Sequence, residues 1–138
     1  MRAHIRSIES AARRGQAMVE MAMVFPLLLI VAIGLVQFAL YAHAENVVTG
    51  AVQDGARIAA EDGRSLPDGV ATAQALLRAG LGGEASAITL QGREDQNVVV
   101  LQAQGRLRTI IPWVADASLP LSAQATMTKE RFRAGGGP

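Results

Sequence analysis

From Met21 to Ala42 the chain carries no charged residue, and that run constrains the fold more than any other feature. Built as a helix rising about 1.5 Å per residue, it spans roughly 33 Å, close to the ~30 Å thickness of a bilayer's hydrocarbon core. A buried core helix in a soluble domain is the alternative. Such a helix normally shows a polar stripe, whereas only Gln37 interrupts this run. The run therefore reads as a single membrane span.

The flanks set its direction. Arg2, Arg6, Arg13 and Arg14 precede the span, with Glu9 the one acidic residue among residues 1–15, whereas nine basic and ten acidic residues follow Ala42. Cytoplasmic flanks are enriched in Lys and Arg, so the N-terminus is expected in the cytoplasm, with the span in the inner (cytoplasmic) membrane. His43 to Pro138 then lie in the periplasm or outside the cell. The overall net charge of +1 conceals this division.

Two kinds of cleavage compete at this N-terminus. A secretory signal would use Ala42-His43-Ala44 and release a protein starting at Glu45, but its apolar region would exceed the usual ~7–15 residues and Glu20 and Pro26 would be unexplained. The other site is Gly15, which ends the basic leader; glycine gives a protease at the membrane face an unhindered backbone. Glu20 follows at the edge of the hydrocarbon, where an unpaired carboxylate is costly and an ionisable group usually functional. A carboxylate that merely snorkels to the interface is the competing reading. Pro26 removes the amide that would bond the Ala22 carbonyl, at about 3 kcal/mol in water, so a kink or local unwinding is expected there.

Arg14-Gly15-Gln16-Ala17-Met18-Val19-Glu20-Met21-Ala22, then Phe25-Pro26-Leu27-Leu28-Leu29, then Asp54-Gly55-Ala56-Arg57, closely resemble the TadE-like family of tight-adherence (Tad) pilus proteins. The resemblance is specific over the first 60 or so residues and holds only in outline beyond. It implies a minor pilin or pseudopilin, processed by a membrane-embedded prepilin peptidase between Gly15 and Gln16. Glu20 becomes the fifth residue of the mature chain. The implied partners are that peptidase, other pilins and minor pilins of the same pilus, the inner-membrane assembly platform and the lipid bilayer. The implied work is pilus assembly or anchoring for surface adhesion and biofilm formation, with Glu20 and Pro26 as assembly residues. Glu20 would pair with the new amine of Gln16, in its own chain or a neighbour's, and set axial register. Many members carry an aromatic residue where this chain has Met21. Two readings compete: an uncleaved, membrane-anchored periplasmic binding module, and a secreted domain beginning at Glu45.

Beyond the span, Val47, Val48, Ala51, Val52, Gly55, Ile58 and Ala59 form one stripe at helical spacing, opposed by Asn46, Thr49, Gln53, Arg57 and Glu61. This predicts one long helix over 16–62, stopped by Asp62-Gly63. Gly50, Ala51, Gly55 and Ala56 would let a backbone approach closely, and the domain's own sheet is the expected neighbour. A second helix is expected over Pro67 to Ala79, ended by Gly80, with Val70, Ala73, Leu76, Leu77 and Leu81 facing inward. Strands are expected at Ala87 to Gln91, Asn97 to Thr109 and Leu119 to Arg131, with Gly92 to Gln96 as a hairpin and Ile111 to Ser118 a looser connection. The fold class is α+β: a long N-terminal transmembrane helix continuing into an outer domain, over 63–133, with a second helix and a three-stranded antiparallel sheet. The order is similar to type IV pilin-like subunits. Residues 1–15 are the leader, and 134–138 a flexible tail.

Enzyme chemistry finds little support. The histidines are His4 and His43, there is no cysteine, and no carboxylates cluster, so neither a nucleophile–base pair, a metal site nor a cofactor site is expected. Glu94-Asp95 and Glu61-Asp62 read as solvated turn pairs. Arg106 and Arg108, with Lys129, Arg131 and Arg133 nearby, could form a basic patch, but a solvated strand edge is the preferred reading and no nucleic-acid partner is expected. Without cysteine to staple it, a small outer domain is expected to be marginally stable alone and to borrow stability from its membrane helix and neighbours.

Overall fold

The computed structural model describes the backbone of residues 2–110 and 117–129, and side chains from Gly15 onward. In chain order the elements are α1 (Arg2–Ala60), α2 (Leu66–Leu81), a 3-10 segment (Gly82–Ala87), β1 (Ile88–Glu94), β2 (Val98–Arg108) and β3 (Ser118–Thr128). This is the expected α+β layout of a long apolar helix, a second helix and a three-stranded antiparallel sheet. The chain divides into two compact units, residues 1–38 and 39–138.

The first unit consists of helix. Its helical backbone begins at Arg2, so residues 2–15 continue the helix expected over 16–62. The helix also runs unbroken through Pro26, so the expected unwinding does not occur. Apolar side chains here are bare: Met23 is 72 %, Leu28 59 %, Leu35 66 % and Phe38 69 % exposed.

The second unit has its own core. From Ala44 onward one face of α1 is buried: Ala44, Val48, Ala51, Val52, Ala56, Ala59 and Ala60 are all nearly inaccessible, close to the expected stripe, while Val47 and Ile58 sit half-buried at its margins. Helix α1 ends at Ala60, and Gly63 turns the chain with φ +75°, a conformation open to glycine.

Helix α2 starts one residue before Pro67. Its cap is Ser65, whose backbone N–H and hydroxyl both donate to the Asp68 carboxylate, at 3.0 and 2.8 Å. It also ends later than expected, because Gly80 stays helical and the stop falls at Gly82 with φ +56°. Gly80 has a packing reason to be glycine: a Cβ there would lie 2.5 Å from a Val47 methyl. Ala73 and Leu77 are buried, but Leu76 is 37 % exposed and does not face inward as expected.

In the sheet, of order β1-β2-β3, Val99, Leu101 and Ala103 point to the core with Leu121 and Ala125 of β3. Register pairs Leu101 with Gly92 on one side and Ala125 on the other. Strand β1 begins one residue later than expected and runs through Gly92 to Glu94, so the connection to β2 is Asp95 to Asn97 rather than Gly92 to Gln96. β3 ends at Thr128. Most of the expected 111–118 connection, with Arg131, Arg133 and the tail, lies outside the described residues.

The small residues of α1 meet α2 first, not the sheet alone. A Cβ on Gly55 would lie 2.7 Å from the Gly69 carbonyl oxygen, 2.8 Å from Leu101 Cδ2 and 2.9 Å from the Ala73 Cβ. A Cβ on Gly69 would overlap the Gly55 carbonyl oxygen. The two backbones therefore cross at a glycine on each helix. Gly50, by contrast, has open space where its Cβ would be.

Candidate functional site

Gly15, Gln16, Glu20 and Pro26 all lie on α1 in the first unit, so their relative placement follows from helical geometry. Gln16 and Glu20 are four residues apart, one turn, and face the same way. Both line one shallow depression with Val19, Met23 and Val24. Helical spacing thus holds a carboxylate beside the residue whose amine a cut at Gly15 would free. Pro26 is not part of that depression.

Gly15 is helical, with nothing within 4 Å of where its Cβ would sit. No packing requires glycine there. Glycine costs a helix about 1 kcal/mol relative to alanine, so residue 15 is a weak point at which the backbone unwinds more readily into the extended form a protease binds.

The alternative site at Ala42-His43-Ala44 sits differently. It lies within α1, Ala44 is 1 % exposed in the core of the second unit, and His43 Nε2 lies 3.4 Å from the Gly80 carbonyl oxygen. A chain starting at Glu45 would lose Ala44 from that core. Secretory release therefore fits the fold poorly.

In the second unit, Lys129 donates to the Glu94 carboxylate, which also accepts the Leu66 amide at 3.3 Å. Lys129 and that amide hold the Glu94 carboxyl below its ordinary value of 4.5. Glu94 is exposed, as expected, but it ends β1 rather than sitting in a turn, and it clasps α2, β1 and the residue after β3. Hydrogen bonds from Ser65 likewise lower Asp68 from its ordinary 3.8, with Arg64 adding a smaller attraction.

The basic patch, the less favoured of the two readings of these cations, does not assemble in full from the described residues. Arg106 lies opposite Pro120, whereas Lys129 follows Thr128, which lies opposite Val98. Eight positions along β2 separate the two ends, about 26 Å at 3.3 Å per residue. Among the described residues no group of three or more His, Asp or Glu is placed to hold a metal ion.

Helix α1 is long and apolar enough to cross a membrane by length and composition, and only 6 % of its most apolar window is buried. A core helix of a soluble domain would be mostly covered. Neither a curated protein nor a solved structure matches the chain. Residues 15–57 match the family model described as TadE-like protein, which suggests an association with a Tad pilus. The matched stretch starts at Gly15 and ends at Arg57, so it takes in the bare apolar half of α1 and most of its packed half: this segment of the chain is TadE-like.

Proposed function

We propose that this protein is a minor pilin or pseudopilin of a Tad-type pilus, held in the inner membrane by α1 with its N-terminus in the cytoplasm. A prepilin peptidase cuts between Gly15 and Gln16, and the mature subunit acts in pilus assembly or anchoring for surface adhesion and biofilm formation. The observation that carries this reading is the bare apolar surface of α1 from Met18 to Phe38, headed by Glu20. Such a surface needs a partner as apolar as itself. Lipid supplies one before assembly and the helices of neighbouring subunits supply one after it.

Glu20 supplies the specificity that apolar packing lacks. A carboxylate entering a helical bundle is expensive unless paired, and the freed amine of Gln16, in the same or an adjacent subunit, is a matching charge. Pairing with an adjacent subunit's amine penalises every axial register but one. The start of the family match at Gly15 supports the same boundary.

N-terminal sequencing and intact mass of the protein extracted from a host carrying its prepilin peptidase test this directly. A chain beginning at Gln16 is expected. A start at Met1 would sink the processing step and favour an uncleaved anchored module, and a start at Glu45 would replace both with a secreted domain. Glu20→Gln is then expected to lower incorporation into the pilus or its base complex without changing membrane insertion. Unchanged incorporation would remove the register role.

A further inference from the structure

Within the second unit, the last turn of the apolar run lies against one end of the sheet. Leu40 and His43 line a groove with Leu81, Leu107, Arg108 and Ile110, and Glu84 forms part of its wall. Close by, the Tyr41 hydroxyl donates to the Pro120 carbonyl oxygen at 3.2 Å, tying the start of β3 to the end of the apolar run. The end of β2 and the start of β3 therefore stand level with Leu40 to Ala44.

That level is where a bilayer ends. The apolar run closes at Ala42, and the headgroup region beyond the hydrocarbon is about 6 Å deep, roughly four helical residues. The chemistry there changes in the right order. Ile110 is 49 % exposed, and among the described residues beyond the apolar run the other exposed large apolar side chain is Leu76, at 37 %. Arg106 and Arg108 are exposed on the outer face of β2, opposite Pro120 and Ser118, and neither forms an ion pair among the described residues. Tyr41, half-buried, has the amphipathic ring that favours a membrane interface.

We propose that this end of the domain is a lipid-facing collar: Ile110 enters the boundary of the outer leaflet, and Arg106 and Arg108 bind the phosphates of anionic lipid headgroups. The inference rests on the membrane-spanning reading of α1. The groove includes Leu40, which belongs to the apolar run, and the arginines complement an anionic surface despite Glu84 nearby. Before assembly the domain would thus sit down on the membrane rather than stand clear of it, and extraction into a pilus would have to break these contacts.

The sequence has no cysteine, so single labels can be placed at will. The full chain carrying an environment-sensitive fluorophore at Ile110→Cys, Leu35→Cys or Thr126→Cys would be reconstituted into nanodiscs of phosphatidylcholine, with or without phosphatidylglycerol. Quenching by doxyl lipid is compared with quenching by iodide. Lipid quenching at positions 35 and 110, and iodide quenching at 126, are expected. In discs containing phosphatidylglycerol, Arg106→Gln and Arg108→Gln are each expected to reduce the docked-to-undocked ratio at position 110 by about fivefold. If position 35 is lipid-quenched while 110 behaves like 126, the collar is wrong and the span stands. If 35 escapes lipid quenching, both fall. Docking at 110 that ignores both arginines and phosphatidylglycerol overturns the headgroup assignment.

Discussion

The two halves of α1 solve opposite problems with the same backbone. From Met18 to Phe38 nearly all its large apolar side chains are bare, whereas from Ala44 to Ala60 its buried positions are mostly small and face a folded domain. Nine of the fifteen buried apolar side chains described are alanine. Small residues let two rigid elements approach until their backbones touch, as Gly55 and Gly69 do. Large side chains suit a partner that can mould itself around them, either lipid or a neighbouring helix. One half of α1 is therefore selected for shape, and the other for transfer free energy.

An alanine-rich core makes its few large members disproportionately important. Leu101, fully buried and in register between Gly92 and Ala125, is the sharpest test. Leu101→Ala is expected to cost about 2–5 kcal/mol, read from denaturant unfolding of the full chain in micelles. Leu28→Ala, in the bare half, should leave that transition within about 0.5 kcal/mol of the parent. Equal losses at both positions would erase the distinction between the halves.

Leu28→Arg reverses the test. It is expected to disfavour membrane insertion by about 2.5–3.5 kcal/mol while leaving the unfolding of the second unit unchanged. A glycosylation-mapped insertion assay reads the first effect, and a domain that unfolds in step with failed insertion would show the halves to be one cooperative unit. Next, Gly69→Ala should cost about 1–3 kcal/mol although alanine is the better helix former, because the Gly55 carbonyl already occupies the methyl's space. Gly50→Ala, where that space is open, should be neutral or slightly stabilising.

The smallest effect concerns pH. Glu94 and Asp68 are depressed in the folded protein, so their contribution to stability is complete above the ordinary values of 4.5 and 3.8 and is lost as pH falls through their lower folded values. Acid unfolding of Glu94→Gln is expected to show a shallower pH dependence in that window than the parent. Identical curves would mean that the Lys129 clasp does not persist in solution.

Several elements are legible in the sequence. The absence of charge from Met21 to Ala42 established the apolar helix, since hydropathy over such a length is a property of the chain alone. The stripe from Val47 to Ala59 was readable because helical periodicity is local, and so was the alternation from Leu121 to Thr128. Boundaries were less so: Gly80 and Gly92 look like breakers, yet each continues its element because a neighbouring side chain, Val47 or Leu66, fills the space a Cβ would need.

The functional residues divide in the same way. Gly15, Gln16 and Glu20 lie within two turns of one helix, so the sequence by itself determined that Gln16 and Glu20 share a face. Tertiary structure alone decided that Gly55 meets Gly69, that Glu94 joins Lys129 and the Leu66 amide, and that Arg106 and Lys129 stand at opposite ends of the sheet. Those outcomes depend on register and on which faces pack. A local pattern of hydrophobicity states that a face is buried, but the partner it meets is settled only when distant segments compete for the same space.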